Sequence, residues 1–152
     1  MRDLIPADNY DIKSLLQDFN RRDMNLNLER MRKALKAMKE PCKTIPAIQI
    51  AGTNGKGSIA SFLQSSLITL GIRSGVTTSP HLINWCERIT SNGKQISLNE
   101  FEKRIISLKQ ITEKFQLTPF EVVIATALDH FRDKNVELLV LEVGLGGRLD
   151  AT

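Results

Sequence analysis

Apolar and polar residues follow two patterns along this chain, short continuous apolar runs and stripes with helical spacing. The continuous runs are too short for helices, and they predict buried strands at residues 47–51, 73–78 and 137–143. Helical spacing, with capping residues, glycine or proline near the ends, predicts helices at residues 11–19, 26–39, 58–70, 98–115 and 119–132. Strands and helices therefore alternate over most of the sequence.

The order of these elements predicts an α/β domain in which helices flank a parallel sheet. Residues 1–44 form a helical lead-in, and residues 45–152 form the α/β part. A long loop is expected at residues 79–97, with a short hairpin near 93–96, because Ser-Pro and Ser-Asn-Gly interrupt the periodic pattern. Three parallel strands make a small sheet, and the chain stops where another helix should follow. We therefore expect a truncated part of a longer protein.

A glycine-rich loop joins the first predicted strand to the following helix. Glycines let the backbone N–H groups point inward, and the next helix directs the positive end of its dipole at the loop. Lys56 adds a mobile positive charge, and Ser58 offers a hydroxyl ligand for magnesium. A tight turn alone would not need Asn, Lys and Ser between the glycines. The loop predicts a phosphate site made of Gly52, Thr53, Asn54, Gly55, Lys56, Gly57 and Ser58.

The spacing within this loop differs from the nucleotide loop of generic kinases and GTPases. In that motif the lysine is followed directly by Ser or Thr, whereas here Gly57 separates Lys56 from Ser58. The sequence thus predicts a P-loop-type nucleotide-binding domain of another class.

Glu142 is an acidic residue near the end of an otherwise apolar predicted strand. A buried carboxylate is costly unless it is paired or binds a metal, and ligands gather at the carboxyl ends of strands in open α/β sheets. A magnesium-binding acid is the preferred interpretation, and a structural salt bridge is the alternative. The glycines that follow fail the dinucleotide fingerprint, because Leu149 occupies the third glycine position.

Ser79 and His81 follow the second predicted strand, so either side chain could face the same cleft as Glu142. A single histidine is more often structural than catalytic, and Ser79 could simply begin a turn. His130 lies in a helix among charged residues and is interpreted as solvated. Trp85 and Phe120 could stack on a flat ring, although core packing is the commoner use of such residues.

Residues 118–121, Thr-Pro-Phe-Glu, form a capping box with proline at the first helical position, and residues 97–100 form another. Helix capping accounts fully for Thr118 and Glu121, so nothing in this short segment by itself indicates that they bind a ligand.

Composition limits the function classes. With a net charge of +4 and no Lys/Arg cluster, the chain suits anionic ligands but not nucleic acid. No apolar run is long enough to span a membrane, and the first residues lack the apolar segment of a signal peptide. These features predict a cytoplasmic protein. Cys42 and Cys86 lack metal or redox spacing and are expected to be reduced thiols.

Four stretches of the chain stand out together. In chain order they are Ala51-Gly-Thr-Asn-Gly-Lys-Gly-Ser58, Thr78-Ser-Pro-His-Leu82 with Glu87-Arg-Ile89, Thr118-Pro-Phe-Glu121, and Leu141-Glu-Val-Gly-Leu-Gly-Gly-Arg-Leu-Asp-Ala-Thr152. Together they closely resemble the folylpolyglutamate synthase/dihydrofolate synthase branch of the Mur ligase family, and the resemblance covers essentially the whole chain. The first stretch is shared across Mur-type ligases, whereas the second and fourth are more specific to the folate branch.

The resemblance implies the central domain of an ATP-dependent ligase that adds L-glutamate to dihydropteroate or a reduced folate through an acyl phosphate. It implies ATP and Mg²⁺ as cofactors, Lys56 as the catalytic residue on the ATP phosphates, and Ser58, Ser79 and Glu142 as metal ligands. The residues that it assigns to the pterin-containing substrate are His81, Thr118, Pro119, Phe120, Glu121, Leu149, Asp150 and Ala151.

The chain departs from the family in length, since it corresponds to the first third of a typical member. The resemblance implies that a further metal-binding histidine, a carbamylated lysine and the C-terminal glutamate-ligase domain lie beyond residue 152. We expect a monomer at full length, and little or no ligation by these residues alone. A non-catalytic nucleotide- or pterin-binding remnant is the alternative, and a different P-loop enzyme fits the loop spacing less well.

Overall fold

The computed structural model describes residues 12, 14, 16, 28–148 and 150–152. Most of the helix predicted at residues 11–19 lies outside the described residues, although Ile12, Ser14 and Leu16 are helical. The elements in chain order are α1 (Glu29–Ala37), β1 (Ala47–Ile50), α2 (Lys56–Thr69), β2 (Ser74–Thr77), a 3-10 helix (Trp85–Arg88), β3 (Ile89–Ser91), β4 (Lys94–Gln95), α3 (Leu98–Lys114), α4 (Pro119–Asp133) and β5 (Leu138–Glu142).

The sheet in the described part of the chain is mixed, with strand order β1-β5-β2-β3-β4. The three predicted strands pair in parallel, and β5 lies between β1 and β2. The predicted parallel sheet with flanking helices is confirmed. The sheet is extended at one edge, where β3 and β4 form an antiparallel hairpin next to β2. The hairpin begins earlier than predicted, because its turn is Asn92-Gly93, and both residues have positive φ.

Helices cover both faces of the sheet. On one face, Ala60 and Leu67 of α2 pack against Ile50, Val76 and Val140 of the three parallel strands. On the other face, the larger core includes residues of α1, α3 and α4 with the opposite sides of β3 and β5. The alternation of side chains along each strand thus places two separate apolar clusters on the two faces. This arrangement leaves the carboxyl ends of β1, β5 and β2 side by side.

The helix caps at residues 97–100 and 118–121 differ in completeness. The Thr118 hydroxyl accepts a hydrogen bond from the N–H of Glu121, and the Glu121 carboxylate accepts one from the N–H of Thr118. Ser97 accepts from the N–H of Glu100, but the reciprocal bond is not formed. The Glu100 carboxylate instead contacts Arg104 and His130, so only the first half of that predicted capping box exists.

His130 is 1% exposed, so its interpretation as a solvated residue is wrong. Every residue from 121 to 131 of α4 is buried, and its polar side chains are therefore paired inside the protein. The Nδ1 atom of His130 lies 3.1 Å from the Glu100 carboxylate, and Nε2 lies 3.0 Å from the Ser91 hydroxyl. Burial lowers the pKa of His130 below its ordinary value, and the attraction of Glu100 opposes this only in part.

The depressed pKa of His130 predicts a loss of stability in mild acid. Below about pH 6.5 the unfolded chain binds a proton at His130, whereas the folded chain binds it only at lower pH. The free energy of unfolding should therefore decrease as the pH falls below 6.5. Urea titrations at pH 7.5 and about pH 5.5 should show a smaller decrease for His130→Gln than for the wild type. If the free energy of unfolding decreased equally in the wild type and in His130→Gln, protonation of His130 would not be the cause of the acid destabilisation.

The outer side of α2 carries exposed apolar side chains. Phe62 is 74% exposed and Leu70 is 71% exposed, and Ile59 is also exposed. Within the described residues, β1 pairs only with β5, which leaves its other edge open. Exposed apolar side chains and an open strand edge are each typical of surfaces that other protein covers. No helix in the described part of the chain is both apolar and long enough to pass through a membrane.

Candidate nucleotide and metal site

The glycine-rich loop connects β1 to α2 with two residues at positive φ. Gly52 has φ 150°, and Gly55, the N-cap of α2, has φ 79° in the left-handed region. Gly55 has no side chain that could cap the helix, so the N–H groups of the first turn remain available. A helix that begins in this way offers backbone donors and the positive end of its dipole to an anion.

Lys56 folds back over the loop. Its Nζ donates a hydrogen bond to the carbonyl oxygen of Gly52 at 3.0 Å, and the side chain is half-buried. The positive charge thus lies directly above the peptide groups that would surround a phosphate. Thr53, Asn54 and Ser58 are exposed on the same loop and first turn. The structure therefore places all seven predicted loop residues, most of them exposed, on the loop and first helical turn between β1 and α2.

Glu142 lies at the carboxyl end of β5 against this loop. A Cβ atom placed on Gly57 would lie 3.7 Å from its Oε2 atom, so its carboxylate is next to the first turn of α2. The N–H of Ser79, just beyond β2, donates to the same oxygen at 3.0 Å. Glu142 is 4% exposed. Because β5 lies between β1 and β2, the ends of three parallel strands converge on this carboxylate.

The polar atoms at this point fit a hard divalent cation. Within the described residues no Lys, Arg or His forms an ion pair with Glu142, so the alternative of a structural salt bridge is not observed. The Ser79 hydroxyl is buried and has no described hydrogen-bond partner. A buried carboxylate and an unpartnered hydroxyl are costly alone, whereas both are ordinary oxygen ligands of Mg²⁺.

The described residues hold no group of three or more His, Cys, Asp or Glu side chains that could bind a metal by themselves. A cation bound to Glu142 would therefore need hydroxyl, water and phosphate oxygens as its other ligands. That ligand set is the usual one for Mg²⁺ in nucleotide sites, since Mg²⁺ keeps several waters and binds substrate phosphates.

The loop after Ser79 is organised by one carboxylate. Glu87 accepts hydrogen bonds from the N–H groups of Leu82, Ile83 and Asn84 at 2.7 to 2.9 Å. Burial raises the pKa of Glu87, but these backbone donors lower it by more, so it falls below the ordinary value. The carboxylate therefore stays charged at neutral pH and fixes the loop that carries Ser79 and His81.

His81 packs against an aromatic ring and a cation. Its ring centroid lies 4.5 Å from that of Trp85, and its Nδ1 atom accepts a hydrogen bond from Arg88 Nε at 2.8 Å. Burial lowers the pKa of His81, and the positive charge of Arg88 lowers it further. The imidazole is therefore neutral at pH 7. Because Nδ1 accepts, Nε2 carries the hydrogen and can donate to a ligand.

Phe120 and Asp150 of the predicted substrate pocket meet at Gly144. A Cβ atom on Gly144 would lie 2.8 Å from Phe120 Cζ and 3.4 Å from Asp150 Oδ2. Asp150 is 8% exposed, and its carboxylate accepts hydrogen bonds from the N–H groups of Leu145 and Thr152. Ala151 packs against the larger core. Leu149 lies outside the described residues. The two segments predicted to line the pocket are thus adjacent in space.

Thr118, Pro119 and Glu121 lie at the first turn of α4, near Phe120. The Glu121 carboxylate is already occupied, because Arg30 Nε donates to both of its oxygens at 2.8 and 2.9 Å and Thr118 donates twice more. Glu121 would therefore affect a substrate only indirectly, by holding neighbouring residues such as Phe120 in position.

Two contacts that organise the site were not predicted from the sequence. Asn84 and Glu87 form a complete capping box around the 3-10 helix, and this Asn-x-x-Glu spacing could have revealed the role of Glu87. The pairing of Arg30 with Glu121 spans 91 residues. No local signal in the sequence could have found that second contact.

No protein-family model matches the chain. Curated proteins do match it. A probable dihydrofolate synthetase of Schizosaccharomyces pombe is 40% identical over 131 residues, which cover 85% of this chain and 31% of that protein. The dihydrofolate synthase/folylpolyglutamate synthase of Bacillus subtilis is 39% identical over 133 residues, covering 82% of this chain and 31% of that protein.

Solved structures of the same enzymes share the fold. Mycobacterium tuberculosis folylpolyglutamate synthase complexed with ADP superimposes with a TM-score of 0.85 at 35% identity, covering 93% of this chain and 34% of that chain. The chain belongs to the dihydrofolate synthase/folylpolyglutamate synthase family. It spans about a third of the length of the family members that it matches.

Other family structures carry ligands. A bifunctional folylpolyglutamate synthase/dihydrofolate synthase with Mn, AMPPNP and L-glutamate bound has a TM-score of 0.85 at 32% identity, covering 97% of this chain and 36% of that one. Escherichia coli FolC in complex with DHPP and ADP has a TM-score of 0.84 at 34% identity, covering 91% of this chain and 34% of that one.

Gly144→Ala should disturb the predicted substrate pocket without unfolding the protein. A Cβ at 2.8 Å forces the Phe120 ring to move, and this ring is only half-buried, so it can rotate away. We expect about tenfold weaker binding of pteroate in a fluorescence titration, with a stability loss of about 1–2 kcal/mol. In a Phe120→Ala background the same change should have little further effect on affinity. Additive losses in the double variant would contradict this mechanism.

Proposed function

We propose that residues 52–58, Ser79 and Glu142 bind Mg²⁺–ATP for an enzyme that joins L-glutamate to dihydropteroate or a reduced folate. The observation that carries this proposal is the position of the buried Glu142 carboxylate, which lies against Gly57 and accepts a hydrogen bond from Ser79. The neighbouring Ser79 hydroxyl, buried and without a described partner, supplies a second metal ligand. Ser58 supplies a third from the first turn of α2.

The ligands of the related structures support this assignment. ADP, AMPPNP and Mn accompany family members that share this fold, and L-glutamate and DHPP are bound in two of them. We assign Mg²⁺ to this chain because its ligand set is made of hard oxygen atoms and leaves room for phosphate, and the same oxygen ligands also suit the Mn of the related structure.

In the proposed reaction the substrate carboxylate attacks the γ-phosphorus of ATP, and ADP leaves. The amine of L-glutamate then attacks the acyl phosphate, and an amide and inorganic phosphate are formed. Both steps concentrate negative charge on phosphoryl oxygens, which the loop N–H groups and Lys56 stabilise. Bound Mg²⁺ would supply further charge neutralisation at those oxygens. The described residues need no side-chain nucleophile for this chemistry.

The pterin-containing substrate is assigned to the pocket around Gly144. Phe120 offers an aromatic surface there, and Thr118, Pro119 and Glu121 fix the start of the helix that carries it. Asp150 and Ala151 follow on the adjacent segment. Leu149, which lies outside the described residues, is assigned to the same substrate from the sequence alone. His81 adds a neutral N–H donor from the loop after β2.

These 152 residues by themselves are proposed to bind nucleotide but to ligate poorly, because they span about a third of the related enzymes. A monomeric state at full length, a cytoplasmic location and the lack of nucleic-acid or membrane partners stay predictions from the sequence. A non-catalytic binding role remains the second candidate for this polypeptide alone.

A ligation assay tests the proposed function. The purified chain is incubated with dihydropteroate, ATP, Mg²⁺ and radiolabelled L-glutamate, and the Bacillus subtilis relative serves as the active control. We expect turnover far below that of the relative, together with calorimetric binding of Mg²⁺–AMPPNP. Turnover equal to that of the relative would contradict the proposed limit on this chain, and absence of nucleotide binding would contradict the assignment of the site.

A further inference from the structure

Arg88 is held in place at the end of the 3-10 helix by two neighbours. Its Nε atom donates to His81 Nδ1 at 2.8 Å, and its guanidinium carbon lies 4.3 Å from the centroid of the Trp85 ring. The cation–π contact and the hydrogen bond fix the plane of the guanidinium. Within the described chain, neither Nη group has an acceptor at hydrogen-bond distance, so these donors remain free for a ligand.

Half-buried arginines elsewhere in the described chain bind carboxylates. Arg30 pairs with Glu121, and Arg104 pairs with Glu100, Asp129 and Asp133. Arg88 forms no ion pair with any described residue, and the neighbouring Glu87 carboxylate binds the backbone of residues 82–84 instead. Burial accordingly lowers the pKa of Arg88 with no compensating carboxylate, although an arginine stays charged at neutral pH. A shielded cation without a counter-ion favours an anionic ligand.

Arg88 is close to the metal residues in the fold. Its carbonyl oxygen accepts a hydrogen bond from the N–H of Thr78 at 3.3 Å, and the next residue, Ser79, donates to Glu142. Trp85, on which the guanidinium lies, packs against the same buried core as Phe120 and Ala151. The 3-10 helix that carries Arg88 is therefore joined both to the strand end that carries Ser79 and to the core that includes the proposed substrate residues.

We propose that the two Nη groups of Arg88 bind a carboxylate of the pteroate or folate substrate, an inference that rests on the proposed function. A guanidinium and a carboxylate form two parallel hydrogen bonds, which fix orientation as well as position. The ATP phosphates already have the loop amides, Lys56 and the metal, so the substrate is the anion without a described partner. The Nε2–H group of His81 offers a third donor beside the guanidinium.

The test is a set of titrations on the whole chain and its Arg88→Gln variant. The probes are pteroate, which carries a carboxylate, 6-hydroxymethylpterin, which carries none, and Mg²⁺–AMPPNP. We expect pteroate to bind Arg88→Gln at least about tenfold more weakly, because a charged pair of hydrogen bonds is lost. Binding of 6-hydroxymethylpterin and of Mg²⁺–AMPPNP should change less than about twofold. Arg73→Gln, an exposed arginine at the amino end of β2, is the matched control and should bind all three probes normally.

Arg88→Lys keeps the charge but loses the planar donor pair, so it should fold normally and recover only part of the pteroate affinity. Equal pteroate affinity in the wild type, Arg88→Gln and Arg88→Lys would overturn the inference and leave the proposed function intact. Selective loss of Mg²⁺–AMPPNP binding would also overturn it, because the anion would then be phosphate. If the wild type binds nucleotide but no pteroate, the substrate assignment and this inference both fail.

Discussion

Glu142→Gln should weaken the binding of Mg²⁺–AMPPNP by the chain by about 100-fold or more. The change keeps the shape of the side chain but removes the charge of a carboxylate that lies against Gly57 and the Ser79 N–H. A neutral amide oxygen is a poor replacement for a carboxylate in a Mg²⁺ site. The affinity is measured by calorimetry in Mg²⁺ and again in EDTA, where the variant and the wild type should bind the nucleotide equally.

The folding stability of Glu142→Gln separates a binding defect from a folding defect. The carboxylate is 4% exposed and has no described cation, so its replacement by a neutral group should leave stability unchanged or higher. Glu137→Gln, an exposed residue just before the same strand, is the matched control and should bind nucleotide as the wild type does. Full Mg²⁺-dependent affinity in Glu142→Gln would refute its assignment as a metal ligand.

Glu121→Ala should destabilise the protein strongly, by a loss of about 3 kcal/mol. The carboxylate is 7% exposed and binds Arg30 while it caps the first turn of α4 through Thr118. Its removal leaves a half-buried guanidinium without this partner and also breaks the capping box. Urea unfolding of the variant measures the loss.

Glu113→Ala on α3 is the control for that prediction. Glu113 is half exposed and lies 3.8 Å from Lys109, so its loss should change stability by less than about 0.5 kcal/mol. Glu121→Gln should be intermediate, since it keeps the hydrogen-bonding shape but not the charge. A stability loss for Glu121→Ala no larger than for Glu113→Ala would show that the Arg30 pair contributes little. If Glu121→Gln is stable but binds pteroate more weakly, the Glu121 carboxylate contacts the substrate directly.

The convergence of the glycine-rich loop and Glu142, to which we assign the nucleotide, was predictable from the sequence because its signals are local. The loop at residues 52–58 lies between a short apolar run and a helical pattern, and Glu142 is an acid within an apolar run. Parallel pairing of these strands follows from the helices between them, and parallel strands bring their carboxyl ends together. The structure confirms this arrangement, with β5 between β1 and β2.

Other contacts could not be predicted because they join distant segments. The antiparallel partner of β2 consists of only three residues, too few to show a period of two. The burial of His130 depends on Ser91 and Glu100, which belong to a strand and a helix far away in sequence. The unpaired state of Arg88 is likewise a property of the folded chain, since acidic residues are common in its sequence neighbourhood.

Hydrogen–deuterium exchange of the wild-type chain tests the central claim most directly, because it locates the bound nucleotide. With AMPPNP and Mg²⁺ together, we expect slower exchange at residues 52–58, at Ser79 and around Glu142, and no change in α3. With AMPPNP in EDTA, the protection at Ser79 and Glu142 should disappear. Protection confined to other segments, or identical protection with and without Mg²⁺, would contradict a metal–nucleotide site at the ends of β1, β2 and β5.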